Sequence, residues 1–148
     1  MEVLFDNRQD KFKIQKSTED LLEKVIETSL KLENMSLDYE ISVSFVTNDE
    51  IRELNSQFRN IDKETDVLSF PFEDEFETGI RILGDIVLSV EKAMDQAEDF
   101  GHTVERELAY LTAHSTLHIM GYDHMNDDDK SIMRQKEKAI MKALQIFK

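Results

Sequence analysis

The sequence predicts an α+β fold: one domain, residues 1–148, with a small mixed sheet of about four strands covered by about five helices. Three observations carry this. Segments of period two are interleaved with segments of helical period, in no regular repeat. A length of 148 residues with 40% hydrophobic and 34% charged side chains suits one core and one surface. Four glycines, one proline and no Ser/Gly tract leave nothing that marks a linker.

The elements follow in order. Glu2–Phe5 reads as a first strand. A helix is expected from Ser17 to Met35: Ser17 or Thr18 caps it, Glu19 and Asp20 suit its positive end, and Leu21, Leu22, Val25, Ile26 and Leu30 keep helical spacing. Ile41–Val46 alternates as a half-buried strand does. Thr47 opens a second helix through Ile51, Leu54 and Phe58. Asp66–Phe70 is a strand stopped by Pro71, which fits a sheet edge. The acidic run Glu73 to Glu77 reads as a solvated loop, with Gly79 as a turn. Gly84–Ser89 is a β-branched strand leading into a helix from Val90. After Gly101 the composition is helical, interrupted around Gly121 to Asp129.

Composition removes whole classes of chemistry. With no cysteine, disulfides, iron–sulfur clusters, thiolate zinc sites and cysteine nucleophiles are excluded. A metal here is held by histidine, carboxylate or backbone oxygen. No apolar run approaches the ~20 residues of a membrane span, and the first residues lack a signal-peptide layout, so a cytoplasmic protein without membrane partners is expected.

The informative segment is Glu105 to His124. His114 and His118 stand four apart, so on a helix both imidazoles reach one ion. Gly121 ends that helix, and the returning chain brings His124 to the same point. Three neutral imidazoles with an open fourth position describe a catalytic zinc site, one ion per chain. A lone histidine on so apolar a helix would be a core residue; three of the chain's four within eleven residues are not. His102, the fourth, reads as an ordinary helix-start residue. Glu107 either fixes an imidazole tautomer or is a first-turn charge favoured by the helix dipole. Asp123 orients a ligand or serves the turn, and Asp127 to Asp129 lie close enough to be a further ligand.

The spacing H-x3-H-x5-H also occurs in metzincin peptidases. They place a glutamate base directly after the first histidine, where this chain has Ser115. Serine cannot replace that base, which counts against a zinc peptidase or amidase. A third reading is a non-catalytic protein whose zinc only staples the fold.

The run His114-Ser-Thr-Leu-His-Ile-Met-Gly-Tyr-Asp-His resembles the H-G-x-L-H-L-x-G-Y-D-H signature of the YbeY family of bacterial endoribonucleases, or rRNA maturation factors. Leu54-Asn-Ser-Gln-Phe-Arg…Thr65-Asp-Val-Leu-Ser-Phe-Pro and Gly84-Asp-Ile resemble two further family blocks, in order. The departure is Ser115, in place of the usual glycine; its small size predicts altered local packing. The resemblance implies zinc on His114, His118 and His124, with His114 and Arg59 catalytic. It also implies cleavage of single-stranded RNA in 16S rRNA 3′ maturation and ribosome quality control. Arg59 then clamps a phosphate or balances transition-state charge; otherwise it is a surface arginine paired with Asp62 or Glu64.

Charge bears on partners. The chain has 32 acidic and 18 basic residues, a net −14, which at first argues against nucleic acid. Residues 130–148 nevertheless carry +5, leaving −19 on residues 1–129. Lys130, Arg134, Lys138 and Lys142 recur every four residues, opposite Met133, Ile140, Leu144 and Phe147. That stripe is a solvated helix face or, through Lys130, Arg134 and Lys138, an RNA contact. Arg8, Lys11, Lys13 and Lys16 form a second basic cluster. An acidic body predicts weak binding to naked RNA and suits docking to the basic proteins of the small ribosomal subunit; no DNA partner is expected.

Overall fold

The computed structural model describes residues 1–72, 81–123 and 125–146. The acidic run Glu73 to Glu77, Gly79, His124 and Phe147 therefore lie outside the described residues. Four strands, β1 (Glu2–Asn7), β2 (Glu40–Val46), β3 (Val67–Pro71) and β4 (Ile82–Ser89), form one sheet in the order β1-β2-β4-β3. β1, β2 and β4 run parallel, and β3 pairs antiparallel with β4. The mixed sheet is as predicted, and Pro71 does end an edge strand, where its missing N–H breaks no ladder.

Five helices accompany the sheet: α1 (Lys16–Leu32), α2 (Asn48–Arg59), α3 (Val90–Phe100), α4 (Val104–Ile119) and α5 (Asp127–Ala143). The predicted α1 cap is wrong. Gln15 holds the cap position without a side-chain bond, and Thr18 is buried inside the first turn. Thr47 does cap α2, accepting from the Glu50 N–H at 3.3 Å. Asp127 to Asp129 form the first turn of α5, capped by Asn126, where the helix dipole favours acids. They belong to a helix start rather than to the interruption before it.

Period-two alternation in β2 puts Ile41, Val43 and Phe45 on one face, buried in the same core cluster as residues of α1 and α4. Residues of the opposite face, Leu68 of β3 and Val87 of β4, join Val46 and Ile51 in a second, smaller cluster beneath α2. α4 is the central helix. From Glu107 to Thr116 its side chains are almost all buried, because it touches α1, α3, α5 and the sheet together. A Cβ on Gly84 would stand 2.5 Å from the Phe70 carbonyl oxygen and 3.2 Å from Ile119 Cδ1. Only glycine lets β3, β4 and the end of α4 approach this closely, and that approach sets the floor of the site.

Candidate active site

A cleft of about 510 Å³ opens between the end of α2, strand β3 and the C-terminal half of α4. Arg59, Thr65, Asp66, Ser69, His114 and His118 line it. Each arrives for a local reason. Leu54 of α2 packs against the small cluster of Val46, Leu68 and Val87, and Phe58 meets Phe70 edge-on at 5.5 Å. The buried Asn55 amide donates to the Lys63 carbonyl at 2.9 Å. Those anchors fix the turn after Arg59. The alternative pairing of Arg59 is absent: Asp62 is taken by Arg52 at 2.8 Å and Glu64 by Lys92 at 2.9 Å. Arg59 is exposed and makes no ion pair among the described residues.

His114 and His118 face each other across one turn of α4, as their spacing predicts, with Nε2 atoms 3.1 Å apart. Their Nδ1 partners decide what those atoms carry. The His118 Nδ1–H donates to the Tyr122 carbonyl at 3.0 Å, because a carbonyl can only accept. Gly121, at φ 104°, turns the chain so that this carbonyl reaches back. The His114 Nδ1–H donates to Glu137 Oε2 at 2.6 Å. With the protons on Nδ1, both Nε2 atoms turn toward each other and the cleft, and they are the atoms a metal would bind. Two nitrogens on a tetrahedral zinc, each bound at about 2.0–2.1 Å, stand roughly 3.3 Å apart, so the pair fits. Among the described residues no group of three metal-binding side chains forms, and His124, the predicted third ligand, is not among them.

Other predicted residues land elsewhere. Glu107 does not touch the cleft histidines; its Oε2 accepts from His102 Nε2 at 2.6 Å. Both side chains are almost wholly buried; Glu107 does stand in the first turn of α4, as one expected role has it, and the imidazole it orients is His102 rather than a cleft histidine. His102 is not ordinary either, since its Nδ1 accepts from Arg106 Nη1 at 3.0 Å. Ser115 is fully buried and shares a 2.6 Å hydroxyl bond with Ser69, tying α4 to β3. Asp123 is exposed. Lys130, Arg134 and Lys138 are exposed on α5, outside the cleft. In the N-terminal basic cluster Arg8 pairs with Glu50 at 2.8 Å and Lys16 with Asp20 at 3.2 Å.

Comparison with known proteins gives the same frame. The sequence model described as endoribonuclease YbeY matches residues 4–145. Proteins named endoribonuclease YbeY from Clostridium botulinum (strain Loch Maree) and Thermoanaerobacter sp. (strain X514) are 44% and 49% identical, each over 99% of both chains. The chain belongs to the YbeY endoribonuclease family. The fold agrees with that membership: a Thermotoga maritima protein solved in solution superposes with a TM-score of 0.57 at 26% identity, covering 97% of this chain and 91% of that one.

Against the YbeY pattern, the sequence reading missed one group at the cleft. Glu137 lies far along the chain, on α5, and its carboxylate is nearly buried against His114. Its other oxygen accepts from the Tyr110 hydroxyl at 3.2 Å. Burial first, and the Glu137 charge second, push Tyr110 up to about 12, so it stays a donor. A signal did exist: Glu137 is the single acid among the seven charged residues of 130–148.

Proposed function

We propose that this chain is a zinc-dependent endoribonuclease that cuts single-stranded RNA, acting on the 16S rRNA precursor in 3′-end maturation and ribosome quality control. Family membership supports the RNA substrate, and one geometric observation supports the chemistry. The Nε2 atoms of His114 and His118 converge at 3.1 Å in a cleft that also holds Arg59. His114, His118 and His124 would hold the zinc. When bound, it supplies Lewis acidity toward a phosphoryl oxygen and lowers the pKa of water at the site.

The chain's own residues do the rest. Glu137 and the Tyr122 carbonyl hold the Nδ1 protons, which keeps each Nε2 available to a metal. Arg59 brings a permanent positive charge and a planar fork of donors, matched to a phosphate gaining negative charge. Ser115, where a peptidase would place its base, is buried on Ser69 and reaches no substrate. The acidic body, net −14, favours delivery of RNA on a ribosomal subunit over capture of naked RNA, and so a cytoplasmic setting. No helix among the described residues is long and apolar enough to cross a membrane.

The test combines metal analysis with cleavage of a single-stranded RNA. Wild type is expected to carry one zinc per chain and to cut. Arg59→Ala should keep the zinc and cut on the order of 10²–10³-fold more slowly, the cost of removing one preorganised charge donor. Undiminished cleavage after chelation, or by Arg59→Ala at equal zinc content, would sink the reading. Product ends bearing a 2′,3′-cyclic phosphate would assign the attack to the RNA's own 2′-hydroxyl rather than to water.

A further inference from the structure

A second cavity, of about 420 Å³, lies between the α3–α4 turn, the N-terminal half of α4 and α5. Its volume is in the range of small-ligand sites, roughly 300–1,000 Å³. Phe100, His102, Arg106, Tyr110, Arg134 and Lys138 line it beside the Glu137 carboxylate that supports His114, and the cleavage chemistry uses none of those six.

Three features of this cavity point to a phosphate-bearing ligand. Arg134 and Lys138 sit one turn apart on α5, exposed and without an ion pair among the described residues. Like charges at this spacing repel, and a chain with fourteen excess negative charges has acids to spare for them. Arg106 holds His102 with one nitrogen, while its Nε is buried with no hydrogen-bond partner among the described residues. A guanidinium N–H in that state lacks an acceptor. The acids of the wall are already engaged: Glu107 with His102, and Glu137 with Tyr110 and His114.

The third feature is aromatic. Phe100 is 55% exposed and Tyr110 36% exposed, so two rings stand at the rim. Tyr110 also links the two cavities, its ring centroid 6.3 Å from that of His114. Arg106 is two turns further back on α4, about 12 Å of helix rise from His114. This cavity therefore lies within a few nucleotides' reach of a strand held in the cleft.

We infer that the second cavity is a nucleotide subsite for the RNA strand flanking the cleavage point. It takes a phosphate on Arg106, Arg134 and Lys138 and a base against Phe100 and Tyr110. The subsite rests on the endoribonuclease reading, but its test does not need cleavage. The probe is a fluorescent 2′-O-methyl RNA oligomer, single-stranded and uncleavable, titrated at several salt concentrations. Arg134→Gln with Lys138→Gln should weaken binding about tenfold and flatten the salt slope by about 1.4, the loss of two phosphate contacts to a single strand. A control pair, Lys24→Gln with Lys142→Gln, removes the same charge from exposed positions outside the cavity and should change affinity less than about twofold. Phe100→Ala should cost about fivefold or more with the salt slope kept, as loss of stacking does.

Equal losses from the two lysine-bearing pairs would overturn the subsite, because bulk charge would then explain both. Uridine monophosphate binding as tightly as the oligomer would also overturn it, in favour of a free mononucleotide. In cleavage assays the pocket pair should raise KM for a long RNA and leave a dinucleotide unaffected. Failure of the endoribonuclease reading would look different: wild type would cut RNA of no length, while the binding comparison stayed readable.

Discussion

Two histidine–glutamate pairs each involve one residue of α4, at the same 2.6 Å, and do different things. At His114 the carboxylate of Glu137 takes Nδ1, so the Nε2 lone pair faces the cleft and His118. At His102 the carboxylate of Glu107 takes Nε2, and Nδ1 accepts from Arg106, so both ring nitrogens are spent. An arginine can only donate; the proton of His102 therefore sits on Nε2, and the triad runs cation, neutral ring, anion. Burial follows the same division, the His102 side chain being 6% exposed and that of His114 25%. A carboxylate partner alone does not leave an imidazole nitrogen facing a cleft; which nitrogen it occupies decides that.

The largest effect expected from this difference is on metal binding by the rings themselves. His118→Ala should lower zinc affinity by more than about 100-fold, beyond the 10–100-fold range for residues that merely orient a ligand. His102→Ala should leave zinc content unchanged and cost stability, since it orphans a buried Glu107 carboxylate. Zinc competition with a chelating dye and thermal melts on the same samples measure both. Zinc loss in His102→Ala would break the comparison outright.

Next come the two glutamates. Glu137→Gln keeps the shape but weakens the acceptor on His114, and zinc affinity should fall about 10–100-fold. Glu107→Gln should not move zinc affinity, while stability drops by about 1–3 kcal/mol as a buried charged hydrogen bond is lost. The same dye titration separates them. Equal zinc losses would mean that the two pairs are coupled through α4 rather than independent.

How much of this was legible in the sequence depends on the range of the signal. The strands and helices were readable because period-two runs such as Ile41–Val46 and helical spacing from Leu21 to Leu30 are local. His114 and His118 were readable as neighbours because one helical turn is a local distance, whereas Arg59 was singled out by the resemblance of its motif rather than by any residue pattern. Glu137 was not readable as a partner of His114. The contact spans 23 residues and depends on how α5 crosses α4, which no periodicity states. Glu107 shows the converse: helical spacing did place it two turns before His114, but the α3–α4 turn brought His102 to it first. The expected Ser17 or Thr18 cap failed for a plainer reason: the helix begins at Lys16, before both of them.

The smallest effect tests the bridge between the two regions. Tyr110 donates to the Glu137 oxygen that His114 does not use, and burial beside that carboxylate raises its hydroxyl from 10.0 to about 12. A group whose folded pKa lies above its unfolded value stabilises the fold below the unfolded pKa. That stability is present below about pH 10 and drains away as pH rises through about 12. Tyr110→Phe should therefore cost about 1 kcal/mol near pH 9, a small figure because the ring is partly exposed, or roughly 3 °C in midpoint for a chain of this size. Above pH 10 the gap between the two proteins should narrow, since phenylalanine has no proton to lose. Zinc affinity should fall less than in Glu137→Gln, because the carboxylate still holds the His114 proton without the tyrosine. A loss as large as that of Glu137→Gln would show that Tyr110 sets the carboxylate's position. The cleft and the second cavity would then share one orienting unit, and the division between the two histidine–glutamate pairs would hold for His102 alone.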